Sequence, residues 1–124
     1  MNKPLILIVE DDEISQVVLV RTIGSNYNTL VTDSSDEAKI LLQKNKVDLV
    51  LMDISIKGSK NGLEFTEELK SLDEYKHIPI IVVTAHAFEK DRLAAFEHGC
   101  NDYISKPFTK DSLLSIIAKH LLDF

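Results

Sequence analysis

Short apolar runs alternate five times with amphipathic stretches along this chain. The runs predict strands over about 4–10, 28–33, 48–53, 78–84 and 102–105. The intervening stretches predict helices over about 13–24, 35–45, 62–72, 87–98 and 110–122. The runs at about 4–10, 48–53 and 78–84 are nearly continuous in aliphatic and β-branched residues, the mark of strands covered on both faces. Thr29, Leu30, Val31 and Thr32 alternate more, which suits an edge strand.

The helical stripes follow the same logic. Ile14, Val17 and Val18 fall at i, i+3 and i+4 in the first helix, behind Asp12 as an N-cap. Ala38, Leu41 and Leu42 mark the second, with Ser34 or Ser35 as cap, and Phe65, Leu69 and Leu72 mark the third. Gly99 is a natural left-handed residue just past the fourth. Leu113, Ile117 and Leu121 mark the fifth, which starts near Thr109 or Asp111. Repeated βα units imply a parallel sheet with right-handed crossovers and helices on both faces, a doubly wound α/β fold. Periodicity does not set the strand order. The flavodoxin-like order 2-1-3-4-5 is adopted because it places strands 1 and 3 side by side at a switch point.

What the strands end in changes the picture. The run from Val47 to Met52 ends in Asp53, and the run from Ile6 to Val9 ends in Glu10, Asp11 and Asp12. The run from Ile80 to Val83 ends in Thr84, and Tyr103 and Ile104 lead into Ser105 and Lys106. Each has a bland reading: an acidic turn is often a solvated helix cap, and a lysine before proline is often a surface residue at a turn. Four complementary strand ends converging on one sheet edge by accident is the harder case. Carboxylates that close repel one another unless a cation joins them. All-oxygen donors without histidine or thiolate select Mg²⁺, Mn²⁺ or Ca²⁺ over zinc. Asp53 is then placed to act as a nucleophile toward a phosphoryl group, with Lys106 and Thr84 neutralising its oxygens. A cis Lys106–Pro107 bond would fix the direction of the lysine.

Bulk properties narrow the class. The chain has 124 residues, one domain's worth, spanning 1–124 without a linker or repeat. A net charge of −6 supplies no basic stripe for phosphates, so nucleic-acid binding is not expected. A lone Cys100 excludes an internal disulfide and fits a cytoplasmic setting, and no run is long enough to span a membrane.

These residues, in this order, resemble the receiver domain of two-component response regulators. The matching stretches are Ile6–Asp12, Leu49–Ile54, Ile80–Ala85 and Gly99–Phe108, and the likeness spans essentially the whole chain. The resemblance implies that Asp53 accepts a phosphoryl group from a sensor histidine kinase or a histidine phosphotransfer protein. It implies that Glu10, Asp11, Asp53 and the backbone carbonyl of Ser55 hold Mg²⁺, leaving Asp12 as a cap. It implies a switch in which Thr84 turns toward the phosphorylated Asp53 and Tyr103 goes from exposed to buried. That switch would reshape the helix 4–strand 5–helix 5 face for a downstream protein. Such a domain is not an enzyme in the ordinary sense, although it assists its own phosphoryl transfer and dephosphorylation. The chain departs from the family in the loop Ile54–Gly62, one residue longer than the commonest form, with Lys57 where proline is frequent. Ser55 and His86 fall where the family tunes the lifetime of the phosphoryl bond. His77, His98 and His120 read as isolated surface residues, and Cys100 as a small apolar packer. The expected molecule is a single-domain regulator, or a piece of a longer regulator or hybrid kinase.

Other classes fit less well. A haloacid dehalogenase-type phosphatase carries an acid two residues after its nucleophile, where this chain has Ser55. A flavodoxin-like FMN carrier needs a phosphate loop after strand 1, and Glu10, Asp11 and Asp12 would repel that phosphate. A pseudo-receiver that acts without phosphorylation shares the fold, but the intact acids, Thr84 and Lys106 argue against it.

Overall fold

A computed structural model describes residues 3–85 and 88–121. The strands are β1 (Leu5–Val9), β2 (Asn28–Thr32), β3 (Leu49–Met52), β4 (Ile80–Thr84) and β5 (Asp102–Ser105). The helices are α1 (Glu13–Ile23), α2 (Ser35–Lys44), α3 (Gly62–Ser71), α4 (Glu89–Glu97) and α5 (Lys110–His120). All strand pairs are parallel and the order is β2-β1-β3-β4-β5, the flavodoxin-like order adopted from the sequence.

Alternation along the central strands feeds separate cores. Leu7, Val9, Val50, Met52 and Ile80 meet Ala38, Leu42, Phe65 and Leu69 of α2 and α3. Ile6, Ile8, Leu49, Leu51, Ile81 and Val83 meet Leu19, Ile23, Leu113 and Ile117 of α1 and α5. A smaller cluster of Val82, Ala95 and Cys100 seats α4. The β2 edge is only partly buried over most of its length, whereas every residue of β3 and β4 is buried.

Local chemistry sets the element ends. The side chains of Asp12, Ser34, Asn61 and Thr109 cap α1, α2, α3 and α5, each accepting from the backbone N–H three residues on. Gly99, after α4, has φ 102°, a conformation other residues resist. The predicted stripe of α1 requires correction. Ile14, Val17 and Val18 are 75%, 49% and 46% exposed, while Leu19 and Ile23 are buried. This helix carries more apolar residues than one face holds, and contact with α5 selects the Leu19–Ile23 pair. His120 is not isolated either, since its Nε2 lies 2.9 Å from Asp102 Oδ2. His86, and Ala87 where helix 4 was expected to begin, lie outside the described residues. Among the described residues no helix is long and apolar enough to cross a membrane.

Candidate functional site

The site begins with a register. Val9 of β1 pairs with Met52 of β3, so Glu10 and Asp53 leave the sheet side by side. Asp53 N–H donates to the Val9 carbonyl at 2.9 Å, and Glu10 N–H donates to the Thr32 carbonyl at 2.9 Å. Both carboxylates are nearly sealed from solvent, Glu10 at 1% and Asp53 at 8% exposure. Asp11 is the more open member, and one oxygen from each of Glu10, Asp11 and Asp53 lies within 4.8 Å of the others. Asp12 is spent elsewhere: its carboxylate accepts from Ser15 N–H at 2.8 Å as the cap of α1.

Lys106 arrives from the far side. Thr84 pairs with Ser105, and Lys106 N–H donates to the Thr84 carbonyl at 2.8 Å, which fixes where the lysine leaves β5. The Lys106–Pro107 bond is cis. Because β4 stands between β3 and β5, the lysine stem crosses the end of β4 to reach Asp53. Its Nζ donates to Asp53 Oδ2 at 2.9 Å, to Ser15 Oγ at 3.2 Å and to the Glu10 carboxylate. Thr84 is fully buried at the carboxyl end of β4, between the strands that deliver Asp53 and Lys106. Ser55 N–H donates to Asp53 Oδ1 at 3.4 Å, which places Ser55 beside the carboxylate. Tyr103 is partly buried against the Val82, Ala95 and Cys100 cluster.

Three contributors escaped the sequence reading. Ser15 is a third acceptor for Lys106, and Gln16 Nε2 donates to the Glu10 carbonyl at 2.6 Å. Neither carries a local signal beyond lying in the first turn after Asp12. Gly62 is the third. Its N–H donates to the Ile54 carbonyl at 2.8 Å, and a Cβ there would overlap the Asp53 carbonyl oxygen. Glycine three residues before the apolar α3 stripe that starts at Phe65 was the available hint, because close backbone approach demands it.

Electrostatics match the crowding. Burial pushes the Glu10 carboxyl up to about 7, the neighbouring Asp53 adds to that, and Lys106 only partly offsets it. For Lys106, burial pulls the ammonium down, but Glu10 and Asp53 outweigh it and leave the group above its ordinary value. One ammonium therefore contacts two buried carboxylates, and a third, more open one stands beside those two. The donors are all oxygen, the set that a hard divalent cation takes, so the residues fit such an ion.

Residues 6–118 match the response regulator receiver domain family. The polar-differentiation response regulator DivK of Brucella anthropi is 39% identical over 119 residues, covering 95% of this chain and 96% of that protein. A solved Chloroflexus aurantiacus chain superimposes with a TM-score of 0.92 at 28% identity, covering 98% of this chain and 99% of that one. The receiver domain of a Pseudomonas aeruginosa sensor histidine kinase, whose active-site cleft coordinates a magnesium ion, gives a TM-score of 0.86 at 28% identity. That comparison covers 96% of this chain and 98% of that receiver domain.

Proposed function

The chain belongs to the response regulator receiver domain family, a signalling module of the two-component phosphorelay, and we propose that Asp53 is its phosphoacceptor. Receiver domains interact with histidine kinases or phosphotransfer proteins, and such a protein is the proposed donor here. The observation that carries the reading is the 2.9 Å contact between Lys106 Nζ and the buried Asp53 carboxylate, beside Glu10 and Asp11.

In the proposed reaction an Asp53 oxygen attacks the phosphorus of a phosphohistidine. The P–O bond forms as the P–N bond breaks, and the imidazole leaves with the electron pair. The Lys106 ammonium neutralises charge on the transferred oxygens, and the Thr84 hydroxyl donates to another. Glu10, Asp11, Asp53 and the Ser55 carbonyl would hold Mg²⁺, or Mn²⁺ or Ca²⁺ in its place, which supplies positive charge against the phosphoryl oxygens when bound. The burial of Glu10 and Asp53 keeps water sparse around the nucleophile. The module is not a classical enzyme; it assists its own phosphorylation and the later loss of the group.

The phosphoryl group then biases Thr84 and Tyr103, changing the α4–β5–α5 face that a downstream protein reads. We take residues 1–124 as one receiver domain acting in the cytoplasm through protein contacts. The net charge of −6 supports proteins rather than nucleic acid as partners.

Acetyl phosphate with Mg²⁺ should add one acid-labile phosphoryl group to the wild type and none to Asp53→Asn, read by intact mass. Equal labelling of both would overturn the assignment, and an unlabelled wild type would favour the pseudo-receiver reading.

A further inference from the structure

The loop that follows Asp53 is fastened at both its base and its tip, and the tip is fastened to a different part of the fold. At the base, Gly62 N–H closes onto the Ile54 carbonyl at 2.8 Å. At the tip, Lys57 N–H donates to the Asp33 carbonyl at 2.8 Å, and Ser35 N–H donates to the Lys57 carbonyl at 2.9 Å. These bonds make a parallel bridge between Lys57 and Ser34. Ser59 donates to Asp36 twice, from N–H to Oδ2 at 3.0 Å and from its hydroxyl to Oδ1 at 2.7 Å. Lys60 N–H adds a bond to Ser35 Oγ at 3.2 Å.

The strand order shows what this latch spans. The loop leaves β3 and pairs with the segment between β2 and α2, while β1 lies between those strands. It therefore spans the width of β1, the strand that leads into Glu10 and Asp11. Ser55, whose N–H touches Asp53 Oδ1, is held between the base closure and the tip latch. Two features of this chain permit the arrangement. Lys57 offers an N–H that proline would lack. Gly58 has φ 101°, and a Cβ there would stand 2.7 Å from Ser35 Oγ.

We propose that Asp36 and the Lys57 N–H are positioning residues for the acid cluster: by latching the loop to the start of α2 they set the affinity for Mg²⁺ and, through it, the rate of phosphorylation at Asp53. The inference rests on the phosphoacceptor reading above. Asp36 lies outside the acid cluster, and the hydrogen bonds its carboxylate accepts come from Ser59.

The test is Mg²⁺ binding by calorimetry on the full chain, beside the labelling rate from acetyl phosphate and the melting temperature without metal. Asp36→Ala and Lys57→Pro should weaken Mg²⁺ binding about tenfold, the low end of what outlying partners of a metal site contribute. Their labelling should recover at saturating Mg²⁺. Asp36→Asn should bind Mg²⁺ like the wild type, because its amide can accept from Ser59 N–H and donate to the hydroxyl without the charge. That rescue separates the latch from any effect of a charge at the α2 N-terminus. Unchanged Mg²⁺ affinity in both Asp36→Ala and Lys57→Pro, or a melting temperature that falls while affinity holds, would overturn the proposal. Should either variant fail to fold, Ser59→Ala carries the same comparison. An unlabelled wild type would count against the phosphoacceptor reading instead, whereas a labelled wild type with indifferent variants would count against the latch alone.

Discussion

Lys106 Nζ lies 2.9 Å from Asp53 Oδ2 and also holds Glu10, so one ammonium ties together the ends of β1, β3 and β5. It is 18% exposed at its side chain, against 2% for Glu10 and 10% for Asp53. Removing it leaves two shielded carboxylates facing each other. Lys106→Ala should therefore lower stability in metal-free buffer by about 1.5–3 kcal/mol, the usual worth of hydrogen bonds to charged groups. Mg²⁺ should still bind and recover much of that loss, while the phosphorylation-induced change disappears. Urea denaturation with and without Mg²⁺ reads the first part, and amide exchange on α4 and β5 before and after acetyl phosphate reads the second.

Glu10 gives a pH dependence with a definite sign. Its carboxyl sits at about 7 in the folded chain against an ordinary value of 4.5. Between those values the unfolded chain has released the proton while the folded chain keeps it, so the Glu10 contribution to stability falls as pH rises through the window. A divalent ion needs the ionised form, so its stabilising effect grows over the same interval. The rise in melting temperature on adding Mg²⁺ should be larger at pH 8 than at pH 5. Glu10→Gln should flatten the metal-free profile between those values; an unchanged profile would remove Glu10 as its source.

Gly62 and Gly24 make a controlled pair. A Cβ at Gly62 meets the Asp53 carbonyl, whereas at Gly24, with φ 64°, it meets nothing within 4 Å. Gly62→Ala should cost about 1–3 kcal/mol from overpacking and weaken Mg²⁺ binding as Asp53 shifts. Gly24→Ala should cost about 1–3 kcal/mol from backbone strain alone, since ψ is −143° there, and leave Mg²⁺ binding intact. Denaturant midpoints and calorimetry on the two variants distinguish these outcomes.

Cys100 should be inert in the native state. Burial pushes its thiol up to about 11, with the Asp102 charge adding to it, so little thiolate exists at neutral pH. Alkylation by iodoacetamide at pH 8 should be slow in buffer and complete in denaturant. Rapid native labelling would mean that the packing of Cys100 beside Ala95 opens readily.

The fold was legible where local chemistry decides it. Apolar runs bounded by Glu10, Asp53, Thr84 and Ser105 gave five strands within a residue or two of their observed ends, and Asp12 was recognisable as a cap. The sheet order was adopted as a known doubly wound arrangement, and neither periodicity nor local chemistry dictated it. The α1 stripe was misread because Ile14, Val17, Val18 and Val20 compete with Leu19 and Ile23, and only contact with α5 resolves the choice. Ser15 was invisible for another reason: its partner Lys106 lies 91 positions away. The attachment of Ser59 to Asp36 belongs to the same class, since nothing near either residue in sequence points to the other.

The two-sided sheet has a consequence of its own. Leu7 and Ile8 are chain neighbours, yet they belong to compartments that share no side chain. Truncating each to alanine should leave a cavity on its own side, so any coupling between the two losses runs through the shared strand backbone and not through a merged cavity. The β-layer thus acts as a bulkhead. Damage behind α1 and α5 stays on that side, and substitutions can accumulate there while the packing beneath α2 and α3, which supports the other flank of the rim, is left undisturbed.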